Sequence, residues 1–395
     1  MGSLSGRFAL KYQELEHRRI ISGAQVIIHC HHYNSRIQDT IESARGIDGK
    51  QIIVDSAEAA CLAPIQESLQ EGDDEAVKWT AAVELYAHLG FGHFDVGALV
   101  SDDVITATSS HYVEGWATGF KQQEGPVCSF TQGYLQAAVR AVTGELVTVK
   151  EVACMNSGAK QCRFEVDRSR TRAFVENAKK PFEFTPKDSG YDRTLSNIDE
   201  NAIIDALVGM PIYGNEQGLI PAFGVYLANT PADYYNLVNI RFLKEMTAIG
   251  KFSAAKELLI NAGETCAMNT FRGIMESPEW AGLVAPMLKN EQDSLFALVS
   301  LSNGFGWGNW YVTEHEAEES LCIESINGYE AYGGMEYGDP CEHGQCFMLS
   351  GVAAGMMELI YSEGSIADRF GTFDSEEQSC ISNRGGCCSF AVEAV

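Results

Sequence analysis

Hydrophobic positions along this chain switch between a two-residue and a three-to-four-residue period, and the switches come in the same order twice. A short apolar run with strand character opens each pass, at residues 25–28 and again at 223–227, and a helical stretch ending near Cys61 or Cys266 follows it. A second helix is predicted over 75–89 and 292–302, running into Gly90-Phe91-Gly92 or Gly304-Phe305-Gly306 and then a β segment. The aromatic and β-branched residues of 307–313 mark that segment in the second pass. An apolar helix over 134–142 and 352–361 comes next. Each pass closes on a hairpin: in the first, 148–154, a Ser157-Gly158 turn and 162–166. The expected fold is α+β, two tandem copies of a module of mixed antiparallel sheet and helix.

Four anchors recur in the same order, which chance similarity rarely gives. Cys61 matches Cys266, Leu89-Gly90-Phe91-Gly92 matches Asn303-Gly304-Phe305-Gly306, and Cys128 matches Cys346. Glu151-x2-Cys154-x7-Cys162 matches Glu377-x2-Cys380-x7-Cys388. Each of these last motifs follows a Cys-x4-Gly element, Cys128 to Gly133 and Cys346 to Gly351. Between the passes, residues 167–200 carry charge clusters, Pro181, Pro186 and Ser189-Gly190, the signature of a partly helical linker. The expected domains are 1–170 and 197–395, joined by a linker over 171–196.

Composition narrows the function. A chain of 395 residues with 45% hydrophobic positions suits two domains with buried cores. A formal charge of −26 argues against a nucleic-acid partner, which needs clustered Lys and Arg. No run of about 18 apolar residues and no apolar leader stands in the sequence, so a soluble, cytoplasmic protein without a membrane span is expected. Met1-Gly2 resembles a myristoylation start, but Gly6 replaces the Ser or Thr that such a signal needs. Twelve cysteines in that context favour reduced thiols and metal ligation over a disulfide framework. Acidic stretches at 71–75 and 314–319 read as solvated surface.

Cys128, Glu151, Cys154 and Cys162 supply three thiolates and a carboxylate, enough to fill a zinc tetrahedron and leave no position for water. Such a site pins together the elements that converge on it. The competing reading is buried core cysteines; the duplicated spacing favours metal. In the second copy the set is Cys346, Glu377, Cys380 and Cys388, with Cys387 an alternative last ligand. No dinucleotide fingerprint, phosphate-binding loop or hydrolase motif is present, and the Gly-Phe-Gly elements read as tight turns.

This Glu-x2-Cys-x7-Cys ending after an upstream Cys resembles the vinyl-four-reductase domain, a small-molecule-binding module related in fold to TRAPP trafficking subunits. That family includes the sensor domains of phenol- and hydrocarbon-responsive activators and a bacteriochlorophyll-biosynthesis protein. The resemblance implies one zinc per domain, at the two ligand sets above, beside a pocket for an aromatic ligand lined by a His and an aromatic side chain. His93, His111 and Trp116 are its candidates in the first copy, Trp307 and Trp310 in the second. Neither an ATPase P-loop nor a basic helix-turn-helix follows, so the chain is not one of the activators. Relatives of this fold commonly pair, which implies a pseudo-dimer within the chain and allows a homodimer.

One dense cluster is not duplicated: His29-Cys30-His31-His32-Tyr33. On a strand, alternation puts His29 and His31 on one face, offering two imidazoles to a metal, haem iron or corrinoid, with His32 on the other. Ordinary hydrogen-bonding histidines at a polar strand end are the competing reading. Three functions follow as expectations. The first is a zinc-stabilised protein that binds, senses or carries a small hydrophobic, aromatic or tetrapyrrole-like ligand. The second is a reductase-type or metal-dependent enzyme, or a metalloenzyme-maturation factor, using the His29 to Tyr33 cluster. The third is a scaffold for protein partners.

Overall fold

The computed structural model of the protein describes residues 4–119, 125–169, 172–175, 178–182, 196–338 and 344–395. Much of the expected linker lies outside these residues. The first half contains β1 (Lys11–Gln13), β2 (Arg18–Ile21), β3 (Ala24–Cys30), α1 (His31–Glu42), α2 (Gly49–Ser68) and α3 (Glu75–His88). It continues with β4 (Gly92–Asp95), α4 (Leu99–Asp102), β5 (Val104–Ser110), α5 (His111–Gly119), α6 (Ser129–Thr143), β6 (Thr148–Ala153) and β7 (Cys162–Asp167).

After an added helix, α7 (Glu200–Gly209), nearly the same order returns: β8 (Ile220–Ala222), β9 (Val225–Pro231), α8 (Ala232–Ala248), α9 (Phe252–Met275), α10 (Pro278–Leu283) and α11 (Gln292–Gly304). The chain closes with β10 (Trp310–Glu316), β11 (Ser320–Ser325), α12 (Tyr329–Tyr337), α13 (Phe347–Tyr361), α14 (Ile366–Arg369), β12 (Phe373–Ser379) and β13 (Cys388–Ala394). Helices and antiparallel sheets mix as the α+β expectation required.

Local chemistry sets these elements. Asp48, Asp74 and Asp199 each stand just before a helix and accept the backbone N–H three residues on, at 3.0, 2.9 and 3.0 Å, which satisfies one of the amides the first turn leaves unpaired. Helix α13 is apolar around its whole circumference, and every residue from Phe347 to Ile360 is buried; such a helix belongs in an interior.

Each half builds one four-stranded antiparallel sheet, in the orders β4-β5-β7-β6 and β10-β11-β13-β12. A third sheet, β1-β2-β3-β9-β8, joins the halves. Its central pair β3·β9 is antiparallel, with Ile28 opposite Asn229 and Cys30 opposite Leu227. Helix α1 packs against α9, and α2 against α8. The buried apolar residues of both halves consequently form one continuous cluster.

Two of the four sequence anchors shift once contacts are used to set the register. Added Cβ atoms at Gly133 in α6 and Gly351 in α13 would each fall closer than 3.0 Å to a facing helix backbone, at Val54 and Glu58 in one case and Ile260 and Glu264 in the other. That makes Glu58 the counterpart of Glu264, so Cys266 answers to Ala60 rather than Cys61. Both helices also run on past these cysteines, to Ser68 and Met275. The tight turns after α3 and α11 match as Gly90-Phe91-Gly92 with Gly306-Trp307-Gly308, because Gly90 and Gly306 share a left-handed φ of 93° and 87°. Each turn docks on the other half: Leu89 O accepts from Asn229 N at 2.8 Å, and Phe305 O from Ile28 N at 3.0 Å.

Candidate functional site

Cys128 precedes α6, Glu151 sits on β6, Cys154 follows that strand and Cys162 opens β7. The β6·β7 ladder shifts register between Glu151 and Ala153, and β12·β13 does the same between Glu377 and Ser379. A bulge at that point re-aims the chain, here carrying Glu and the following Cys toward one spot. Backbone bonds to Cys154 O from Ser157 and Ala159, and to Cys380 O from Asn383 and Gly385, fold both connections back to the last cysteine.

The resulting clusters agree closely. In the first, Cys162 Sγ lies 3.9 Å from Cys128 Sγ and 3.8 Å from Cys154 Sγ. In the second, Cys346 Sγ is 3.6 Å from Cys388 Sγ and 3.8 Å from Cys380 Sγ, and the last two are 3.8 Å apart. A zinc–sulfur bond of about 2.3 Å gives a tetrahedral sulfur–sulfur edge of about 3.8 Å, so the thiols already stand at metal-bound spacing. One ligand atom from each of the four residues lies within 4.8 Å of all the others in both sets. The second set closes on Cys388, with Cys387 outside it.

The glutamates fit the same reading. Glu151 Oε2 accepts from Cys128 N at 2.8 Å and Glu377 Oε2 from Cys346 N at 3.1 Å, which leaves Oε1 of each buried without a hydrogen-bond partner. A buried carboxylate oxygen in that state is costly unless an ion takes it. Burial pushes the Glu151 carboxyl up to about 8 and that of Glu377 to about 9. Cys154 is held down at about 2 by thiol donors Cys128 and Cys162, and Cys380 at about 2 by Cys346 and Cys388. A divalent cation relieves this crowding of ionisable donors. Four protein donors complete a tetrahedron, so the geometry is that of a staple.

The histidine cluster departs from its expected form. Strand β3 ends at Cys30 and α1 begins at His31, so His29 and His31 share no strand face and the expected pair of imidazoles is not formed. His29, buried, lies in a cage of rings: Trp307 at 4.8 Å, Tyr33 at 4.3 Å and Tyr235 edge-on at 5.0 Å. Trp307 Nε1 donates to Ile28 O at 3.0 Å, and His29 Nε2 has no partner. Burial drives the His29 imidazole down to about 3, which keeps it neutral. His31 Nδ1 faces the Tyr226 backbone, 3.0 Å from its N, and the His31 ring lies 4.0 Å from that of half-buried His32.

The remaining candidates scatter. His111 Nε2 accepts from Asn34 Nδ2 at 2.8 Å, and Asn34 Oδ1 accepts from Tyr235. Trp116 is buried on α5, Trp310 stacks on Phe390 at 5.5 Å, and His93 is exposed on β4. The structure thus brings together His29 and Trp307, from opposite halves, and leaves His93 out. Sequence reasoning missed Tyr235, Cys266 and Thr270 at this seam. They belong to the other half, and only their lack of counterparts in the first pass marked them.

Residues 116–168, a span that contains the whole first cluster, match the vinyl-four-reductase domain family. No curated protein matches the chain. Among solved structures, the crystal structure of the phenol-responsive sensory domain of the transcription activator PoxR with phenol is similar at 14% identity, covering 42% of this chain and 86% of that one, with a TM-score of 0.34. No helix among the described residues is long and apolar enough to cross a membrane.

Proposed function

We propose that the chain is a pair of vinyl-four-reductase-like modules, 1–170 and 197–395, each stapled by one zinc ion, that binds or senses a small aromatic molecule at the seam between them. Zinc would be held by Cys128, Glu151, Cys154 and Cys162 in one module and by Cys346, Glu377, Cys380 and Cys388 in the other. Its contribution there is structural, fixing the closing hairpin against the buried helix. The family match over residues 116–168 supports the module assignment for the first half, and the repeated strand order supports extending it to the second.

The observation that carries the binding reading is the His29 cage. A neutral imidazole with an unpartnered buried nitrogen, ringed by Trp307, Tyr33 and Tyr235, offers one polar contact inside aromatic walls, the usual make-up of a small-ligand site. Its residues are almost fully buried, so a ligand enters only as the seam opens. A phenol-type molecule supplies both the ring and the hydroxyl that such a cage recognises.

Titrating phenol and related small aromatics into the purified protein, with melting temperature and tryptophan fluorescence as readouts, tests this reading. Saturable stabilisation that His29→Phe abolishes is the expected outcome. No response from any aromatic probe, or an equal response in His29→Phe, contradicts it.

A further inference from the structure

We infer that Cys30 and Cys266, assisted by His29, form a third metal site, for a soft monovalent cation of the copper(I) type, at the seam between the halves. Cys30 ends β3 and stands at the N-cap of α1, whereas Cys266 lies mid-way along α9. Thr270, one turn further along α9, places Oγ1 2.7 Å from Cys30 Sγ and 3.5 Å from Cys266 Sγ. The two thiols are in hydrogen-bonding contact. Cys266 Sγ is 4.0 Å from His29 Nδ1. Cys30, Cys266 and His29 are no more than 2% exposed.

The fold supplies an internal control for the alternative that these are packing residues. Because Ile28 and Asn229 face each other at the centre of the β3·β9 pair, the residue matching Cys30 at the mirror-related seam is Pro231, and the residue matching His29 is Thr230. The register set by Gly133 and Gly351 makes Ala60 and Pro64 the counterparts of Cys266 and Thr270. Packing at one seam is therefore met by Pro, Ala and Pro. The thiols, hydroxyl and imidazole gather only at the other, where something beyond packing has selected soft donors.

Coordination number points to the class of ion. Among the described residues only the two Cys₃Glu sets bring three or more donors within 4.8 Å of one another. Here Cys266 stands between Cys30 on one side and His29 on the other, an open arrangement short of a zinc tetrahedron. Thiolates select copper(I) among first-row ions, and two thiolates with an imidazole give it two or three bonds. Binding releases both thiol protons and changes no oxidation state. The N–H groups of His32 and Tyr33 at the start of α1, directed at Cys30, and the Thr270 hydroxyl stabilise the negative charge left on sulfur. This assignment does not depend on an aromatic ligand.

The test is an anaerobic copper(I) titration of the full-length protein, as purified, against a competing chromophoric chelator, following thiolate-to-copper absorption and any zinc released. The readout is a difference of one copper equivalent between wild type and Cys266→Ala, which holds whatever the Cys₃Glu clusters contain. Cys266→Ala is expected to fold, since alanine already fills the equivalent position at residue 60; Cys30→Ser serves as the second variant. Cys61→Ala, which removes a buried thiol elsewhere on α2, is expected to keep the extra equivalent. Equal copper uptake by wild type and both seam variants overturns the site, as does uptake matched one for one by zinc release.

Discussion

Replacing Gly351 by alanine tests the packing that holds the second cluster in place. An added Cβ would lie 2.8 Å from both Glu264 N and Ile260 C, and nearer still to the Ile260 carbonyl oxygen. These are backbone atoms of α9, so no side chain can swing aside. Restoring ordinary contact at about 3.4 Å moves the helices apart by at least about half an ångström along a wholly buried face. Overpacking of this kind costs about 1–3 kcal/mol, and the rigid neighbour argues for the upper end. Alanine regains about 1 kcal/mol through helix propensity. The net expectation is about 2 kcal/mol of destabilisation, a few degrees in melting temperature for a protein of this size. Gly209→Ala at the end of α7 is the control: nothing lies within 4 Å of its added Cβ, so a gain of about 0.4–1 kcal/mol is expected. Calorimetry or denaturant melts on the two variants side by side decide the matter. A Gly351→Ala protein as stable as wild type would refute the close-approach argument and the register built on it.

Three further outcomes follow. Glu151→Ala, which removes one of four donors, should surrender the metal of the first cluster to a competing chelator before that of the second; simultaneous release would contradict the ligand assignment. Burial, reinforced by the charge of Glu358, pushes the Glu264 carboxyl up to about 8 from an ordinary 4.5. The folded state therefore keeps a proton that the unfolded chain loses above about 4.5, so this group's stabilisation is full at low pH and falls away between about 4.5 and 8. Glu264→Gln removes that dependence, and its melting temperature should rise relative to wild type as pH goes from 5 to 8; a gap constant with pH rejects the shift. Trp307→Phe keeps a ring against His29 but loses the 3.0 Å bond to Ile28 O, and denaturant melts should register a loss of about 1 kcal/mol.

What the sequence made legible was local in origin. The two Glu-x2-Cys-x7-Cys spacings announced both clusters because a hairpin sets the distance between its own ligands. The Cys-x4-Gly elements found the remaining thiol and, less obviously, the glycine at which α6 or α13 crosses its neighbour. Helix limits at 75–89 and 292–302 came within two residues because apolar periodicity and, before α3, an Asp cap agree there.

Relations between the halves were not legible. Short motifs misaligned Cys61 with Cys266 by one residue and the Gly-Phe-Gly turns by two, since only helix crossings and left-handed φ angles fix those registers. The His29 to Tyr33 run has strand-like composition, yet the strand stops at Cys30 because α1 must start there to pack on α9. Trp307, Tyr235 and Cys266 meet this run through the β3·β9 pairing, a long-range contact that no local pattern encodes.

Metal content is the most direct test of two stapled modules. Full-length protein purified without added metal, analysed by inductively coupled plasma mass spectrometry, should carry two zinc ions per chain. Cys154→Ser should carry one, and the Cys154→Ser/Cys380→Ser double variant none. A folded wild-type protein without metal, or a double variant that retains both equivalents, would contradict the account.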